Sequence, residues 1–373
     1  MRKRKLSSSA RRRSVAAFIA TLAMTSAYAE EGGPYYGLLR SRDLSPFGFL
    51  RLDMRPAHAV TIEPGSWVLE AEFGYQNTWA LSPEVEKYLT SIESLGRRDL
   101  GPADVETIRA LPGENYLLDV EQATIDFTMH YKFAKHWSGY VTLSALSYHG
   151  GFLDSTIEGF HETFGFSTFG RPAVRRNDAT LIYDLKSSQA VLFGSPTDGG
   201  MTDPTVGTRY SGITLKGPWK LSLEAAAKIP LGGRRLLLSS GRTDVGVQAS
   251  LQRHGEKQAF YVDLAAVYYA GAADPAPQDA QVIPTLIVGY ERRLTANTNV
   301  NLQAYVSTSV YSHDQTDLDE LLATKYQYSI GIRHRVKACM IYFALNENLQ
   351  NVNNTPDVGF QFGWAYIPKP SPR

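Results

Sequence analysis

Residues 122–133 read Gln122-Ala123-Thr124-Ile125-Asp126-Phe127-Thr128-Met129-His130-Tyr131-Lys132-Phe133. From Ala123 onward every second residue is apolar, and the residues between are Gln122, Thr124, Asp126, Thr128, His130 and Lys132. A period of two sends these sets to opposite faces of a β-strand. About ten residues of such a pattern let a tilted strand cross a bilayer with its apolar face in lipid. The same alternation suits a soluble sheet packed on a core. The rest of the chain decides between the two.

Twelve such segments fall near 67–79, 117–133, 138–148, 205–215, 219–229, 244–254, 258–269, 282–294, 299–310, 324–336, 338–346 and 357–367. Five connections are short: Ala134–Trp137, Lys216–Pro218, Gly255–Lys257, Thr295–Thr298 and Lys337. Six are longer, at 80–116, 149–204, 230–243, 270–281, 311–323 and 347–356. Long and short alternate without exception. Bacterial outer-membrane barrels have this parity, with short periplasmic turns and long outer loops. An even strand count also returns both termini to the periplasm. A soluble β-sandwich has no cause to obey the rule.

The bilayer supplies the reason for closure. No water reaches the hydrocarbon layer, so every peptide N–H and C=O of a spanning strand needs a partner, and only a closed sheet gives each strand two. The reading is therefore all-β: a single antiparallel transmembrane β-barrel of about 12 strands, with short helices in the long extracellular loops. Trp67, Trp79, Trp137, Tyr148, Trp219, Tyr268, Tyr269, Tyr290, Tyr311, Trp364 and Tyr366 stand near segment ends and fit two interfacial girdles. In the final segment, Asp357 to Trp364, Gly359, Phe362 and Trp364 fit the C-terminal signal that the barrel-assembly machinery reads. The chain departs from that pattern by continuing from Ala365 to Arg373.

The N-terminus carries Arg2, Lys3, Arg4, Lys5, Arg11, Arg12 and Arg13, then an apolar run from Val15 to Ala27 and the Ala27-Tyr28-Ala29 motif. This is the pattern of a cleaved secretory signal peptide over residues 1–29. Its removal takes seven of the 38 basic residues and none of the 37 acidic ones, leaving a net charge of −6. An exported, acidic chain is a poor nucleic-acid binder. Cys339 is the one cysteine, which excludes a disulfide scaffold and a Cys-rich zinc module. Residues 30–64 show no strand pattern and read as a periplasmic tail or a lumen-entering segment; the barrel occupies 65–373.

Two long loops carry helical spacing. Val85, Tyr88, Leu89, Ile92 and Leu95 recur on one face and stop at Gly96, and Val105, Ile108 and Leu111 mark a second short helix. In the next long loop, Leu153, Ile157, Phe160 and Phe164 form one face and Asp154, Glu158, His161 and Glu162 the other. These helices are expected to cap or enter the outer mouth, with Phe152, Phe160, Phe164, Phe166 and Phe169 packing it.

Three stretches resemble a known family: Arg42-Asp43-Leu44-Ser45-Pro46 leading to Phe49-Leu50; His149 to Asp154 running on to Ile157-Glu158-Gly159-Phe160-His161; and Asn177 to Leu185. They are similar to the bacterial family labelled domain of unknown function 3187. The resemblance implies an outer-membrane β-barrel and brings no activity.

The polar face of the segments collects Glu70, Glu72, Asp126, His130, Lys132, Glu224, Lys228, Asp263, Glu291, Arg293, Lys325, Arg333 and Arg335 as lumen-lining candidates. Mixed signs fit a charged pore or a lumen closed by ion pairs. A second, weaker grouping is His149, Asp154, Glu158 and His161, of which the last three share a helix face. That face suits a divalent cation or calcium bridging to lipopolysaccharide phosphates, or a solvated polar surface; no metal or other cofactor is assigned to it. Ser147 and His149 share a strand face with Ser144 nearby, but no third group completes a catalytic set, so no enzyme is expected. The expected partners are outer-membrane lipids and lipopolysaccharide, the assembly machinery and a small solute. The function read is a narrow or gated pore, with a plugged, non-conducting surface barrel and a lipid-modifying enzyme as alternatives.

Overall fold

In the computed structural model the described residues are 35–42, 48, 50–55, 62–273, 277–348 and 352–367. The expected signal peptide at 1–29 and the last residues of the C-terminal tail lie outside them. Fifteen strands form: β1 (Trp67–Leu81), β2 (Asn115–Tyr131), β3 (Trp137–His149), β4 (Thr180–Leu185), β5 (Ser188–Phe193), β6 (Gly200–Met201), β7 (Thr205–Thr214), β8 (Trp219–Lys228), β9 (Asp244–His254), β10 (Gln258–Tyr269), β11 (Gln281–Arg293), β12 (Thr298–Ser307), β13 (Lys325–Val336), β14 (Cys339–Glu347) and β15 (Val358–Tyr366). Twelve of them, all but β4, β5 and β6, close an antiparallel barrel in which each strand pairs with the next and β15 returns to β1. Leu69 stands opposite Tyr366 and Asn77 opposite Val358 at this seam. No barrel strand is left with an open edge, which is the condition for spanning hydrocarbon.

The alternation of residues 122–133 appears directly as exposure. Ile125, Phe127 and Met129 face outward and are exposed, while Thr124, Asp126, Thr128 and His130 are buried inside. Leu223, Val245, Val247, Leu264, Ile330, Ile332, Ile341, Phe343 and Phe362 continue the outer apolar surface around the wall. A belt of this extent on a soluble monomer would aggregate; on a barrel it is the face turned to lipid.

The same register carries β1 and β2 beyond the barrel. Asn115–Asp119 of β2 pairs with β4, which pairs with β5 in a hairpin that period-two reading does not find. The reason is that Thr180, Leu181, Ile182, Tyr183 and Leu185 are all buried, so the strand is covered on both faces and shows no alternation.

Among the described residues four α-helices occupy the loops: α1 (Pro83–Ile92), α2 (Pro102–Arg109), α3 (Asp154–Phe164) and α4 (Asp319–Leu322). The expectation that the first three cap the mouth is corrected by their packing. Val85 and Leu89 of α1 and Val105 and Ile108 of α2 bury against Trp79, Leu81, Leu117 and Ile182. Trp79 and Leu81 have the same parity as the lipid-facing Phe73, so these two helices buttress the outer side of the β1–β2–β4 extension.

A separate core fills the mouth itself. Ala80, Tyr116, Leu118, Val120, Leu146, Tyr148, Leu181 and Tyr183 meet Leu237, Leu238, Tyr269, Ala272, Ile283, Val310, Tyr311 and Leu321. Two of their hydroxyls find partners there: Tyr148 donates to the Leu237 carbonyl at 2.8 Å and Tyr116 to the Asn353 carbonyl at 2.9 Å. Four residues read as girdle aromatics therefore serve elsewhere. Tyr148, Tyr269 and Tyr311 are buried in the mouth core, and Trp79 lies under the helices with Arg171 stacked 4.8 Å above its ring. Trp67, Trp137, Tyr268 and Tyr366 remain exposed at the wall.

Candidate functional site: an occupied lumen

Inward-facing residues of the barrel do not face an empty channel. The chain preceding β1 runs inside, and its described pieces touch the wall at every level. Tyr35 donates to the carbonyl of Gly255 at 2.8 Å, in a short turn of the barrel. Leu50 joins the mouth core at the other end. Arg55 is back at mid-barrel beside Glu72 and Asp126, and the Ile62 carbonyl accepts from Lys132 Nζ at 2.7 Å, near the β2–β3 turn. Both described ends of the segment, Tyr35 and Ile62, therefore lie at the short-turn end.

On the β10–β13 side the wall grips backbone. Glu291, with no exposed surface, accepts the amides of Tyr36 and Gly37 at 3.0 Å each, the Tyr261 hydroxyl at 2.6 Å and Asn299 Nδ2 at 2.6 Å. A buried carboxylate requires several such donors to offset its lost hydration. Asn301 donates to the Gly37 carbonyl at 2.8 Å, and the two terminal nitrogens of Arg333 donate to the carbonyls of Gly37 and Leu38.

On the β1–β3 side the wall grips side chains. Arg40 Nε lies 3.3 Å from Glu70, whose carboxylate also faces His130 Nε2 at 3.4 Å. Arg42 pairs with Asp126 at 3.0 Å; Arg55 bridges Glu72 and Asp126 at 2.5 and 3.1 Å. The Tyr342 hydroxyl donates to Glu72, and Ser144 to Asp126. Between the two sides, Asp244 accepts the Leu52 amide and pairs with Lys228, both at 2.8 Å, and Lys228 also donates to the Leu50 carbonyl.

The wall is also shaped for the segment. A Cβ built at Gly289 would lie 2.0 Å from Leu38 Cδ2, one at Gly331 2.9 Å from Leu39 Cδ2, and one at Gly246 3.0 Å from Met54 Sδ. Three inward positions without side chains therefore receive apolar side chains of the segment, which any larger residue would displace.

The lumen candidates fall as follows. Glu70, Glu72, Asp126, His130, Lys132, Glu224, Lys228, Asp263, Glu291, Lys325 and Arg333 are buried on the inward side. Glu224 pairs within the wall with Arg209 at 2.6 Å and accepts the Tyr140 hydroxyl. Arg335 and Arg293 sit half-buried at the short-turn rim, Arg335 donating to the Lys337 carbonyl and Arg293 lying 4.8 Å over the Tyr35 ring. Sequence reasoning missed the other half of the site: Arg40, Arg42, Arg51 and Arg55. The signal available was their regular supply of positive charge directly before β1 and β2, whose inward faces carry Glu70, Glu72 and Asp126.

The loop grouping does not converge. Asp154 accepts from Arg171 at 2.9 Å and from the Asn177 amide at 2.8 Å; Glu158 pairs with Arg97 at 2.6 Å and with Arg176 at 2.5 Å. His149 bonds Ser147 at 2.8 Å, and His161 bonds the Ser167 carbonyl at 2.7 Å. Among the described residues no group of three or more His, Cys, Asp or Glu is placed to hold a metal ion. The carboxylate face is divided: Asp154 and Glu158 are buried against arginines, and Glu162 is exposed.

Gly359 lies inside β15 with its α-carbon side against Gln76, while Phe362 is exposed on the outer wall and Trp364 half-buried.

Among solved structures, the chain is similar to the COG4313 outer membrane channel from Pseudomonas putida F1, at 10% identity over 82% of this chain and 96% of that one, with a TM-score of 0.48. It is also similar to the CymD monoaromatic hydrocarbon channel, at 11% identity over 82% and 89% with a TM-score of 0.37. No curated protein matches the sequence. A family model matches residues 110–367, from the end of the second loop helix through β15, and so excludes the lumen segment and β1. By that match the chain belongs to the family described as protein of unknown function (DUF3187).

Proposed function

We propose that this protein is an outer-membrane channel held shut by its own N-terminal segment, a gated path for small solutes or ions. The observation that carries the reading is the set of glycine notches at Gly246, Gly289 and Gly331, filled by Met54, Leu38 and Leu39. The hydrogen-bonded ladder closes between β1 and β15 on strand residues alone. Withdrawal of the segment therefore leaves a closed wall whose interior is lined by charge, which is what a water-filled path requires. Export by a cleaved signal peptide, assembly through the C-terminal strand and residence among outer-membrane lipids and lipopolysaccharide belong to the same reading. A non-enzymatic role belongs to it too: among the described residues Ser147 bonds the His149 ring at 2.8 Å, and no third group is seen to orient that ring.

The apolar mouth core favours a second reading, a permanently closed barrel that serves as a surface structure. Planar-bilayer recording separates the two. The full-length protein is expected to give rare current steps, and a variant lacking residues 30–61 at least a tenfold higher open probability. Silence of both proteins across salts and voltages would overturn the channel and leave the closed barrel. Lipid hydrolysis lost in Ser147→Ala would overturn the non-enzymatic reading.

A further inference from the structure

The helix α3 packs with its faces reversed. Its buried side carries Ile157 with two carboxylates, where Asp154 meets Arg171 and Glu158 meets Arg97 and Arg176, while Glu162 stays exposed. Its aromatic side is turned away from the protein: Phe160 is 51% exposed and Phe164 63%, and Phe166, just beyond the helix, is 57% exposed. The rings gather into one patch, with Phe160 centred 4.6 Å from Phe164 and 5.9 Å from Phe166. An amphipathic helix on a soluble surface turns such rings toward the core.

The patch adjoins the lipid-facing wall. Phe152, two residues before α3, stacks on Tyr75 at 4.9 Å; Tyr75 stacks on Phe360 at 5.5 Å; and Phe360 lies 6.3 Å from the outward-facing Phe73. Tyr75 is eight residues along β1 from Trp67, the exposed aromatic at the short-turn end. A strand rising about 3.3 Å per residue and tilted by roughly 40° climbs about 20 Å over that stretch, close to the height of a barrel's apolar band. Phe152 and the start of α3 therefore stand at the outer border of the hydrocarbon.

We propose that α3 is an interfacial helix: Phe160, Phe164 and Phe166 insert among the acyl chains of the outer leaflet and seat the loops on the lipid surface. The occupant of the patch is lipid, because the chain enters the helix at Phe152, whose ring stacks on the aromatic row of the wall that lipid already covers. Aromatic residues on one face with charge on the other are the make-up of helices that lie in a membrane interface. The proposal rests on the barrel's place in the bilayer and not on conduction, so a barrel without current leaves it standing.

The test uses the full-length chain with Cys339→Ala, carrying either Phe164→Cys or Glu106→Cys, each labelled with an environment-sensitive fluorophore. Glu106 is exposed on α2 and serves as the solvent reference. Both proteins are reconstituted in vesicles of phosphatidylethanolamine and phosphatidylglycerol containing lipids doxyl-labelled near the headgroup, and heat-modifiable gel mobility checks that each is folded. Quenching at position 164 is expected to be at least three times that at position 106. Equal quenching at the two positions, in proteins that both pass the mobility check, would overturn the proposal, as would protection of position 164 by a protein partner instead of by lipid.

Discussion

The lumen and the mouth are closed by opposite chemistries. At the level of the bilayer the N-terminal segment is held by ion pairs and by backbone hydrogen bonds to Glu291 and Arg333. Above it, tyrosine and leucine side chains from β2, β3, β4 and three loops fill the mouth with an apolar core. The first closure is directional: each contact has one geometry, and removal of one partner leaves the other buried and uncompensated. The second is additive and tolerant, losing stability in proportion to the volume removed. The two also meet, because Leu50 of the segment belongs to the mouth core.

The largest effect is expected where the directional closure is densest. Arg333→Ala strips two donors from the segment and leaves the Gly37 and Leu38 carbonyls buried. Loss of one partner from such a network costs about 3–5 kcal/mol. Trypsin cleavage after Arg40, Arg42, Arg51 or Arg55, followed by mass spectrometry, should accelerate at least a hundredfold. An unchanged rate would mean the grip lies on the β1–β2 side. In the mouth, Leu321→Ala should cost about 2–5 kcal/mol, read as faster hydrogen exchange over residues 308–324. It should leave trypsin cleavage of the lumen segment unaltered, and any coupling between the two would show that the closures move together.

Smaller effects sharpen the comparison. Gly289→Leu crowds Leu38 and should loosen the segment by about 1–3 kcal/mol, with Leu38→Ala restoring protection in the double variant. A failure of rescue would mean that the notch does not register the segment. The least effect on closure is expected outside both regions, at Asp104 in the first turn of α2. Burial alone would raise this carboxyl. The Arg98 guanidinium, the Tyr88 hydroxyl at 2.7 Å and the Gly101 amide at 2.9 Å outweigh it and bring it down to about 2. A carboxylate lowered in the folded state stabilises above its unfolded value of about 4, and that stabilisation is lost as pH falls through about 2. The protection factor of amides in α2, with the intrinsic pH dependence of exchange divided out, should therefore stay constant from pH 8 to 5 and fall below pH 4. In Asp104→Asn it should be flat, and neither protein should show a change in the lumen.

The sequence disclosed what period two can encode. In residues 122–133 one face had to be oily and the other polar, and the alternating connections left a closed, even-numbered barrel as the solution. It did not disclose β4, because burial on both faces erases alternation. The inward position of Glu70, Asp126, Glu291 and Arg333 follows from parity, whereas their partners do not. Arg40 and Gly37 lie in a stretch without periodicity and reach wall residues as far as 296 positions away. The packing of α3 was misread for a related reason: amphipathic spacing reveals that a helix has two faces, and the surroundings decide which one the protein keeps.

That separation along the chain bears on how the molecule is put together. The strap through the interior precedes the first strand, yet Glu291 and Arg333, which fasten it, belong to β11 and β13. The earliest part of the barrel to be made must therefore wait, unfastened, until those late strands arrive, and it becomes encircled only when β15 zips against β1. The strap is thus fastened by strands made long after it, and its final hold depends on completion of the whole wall.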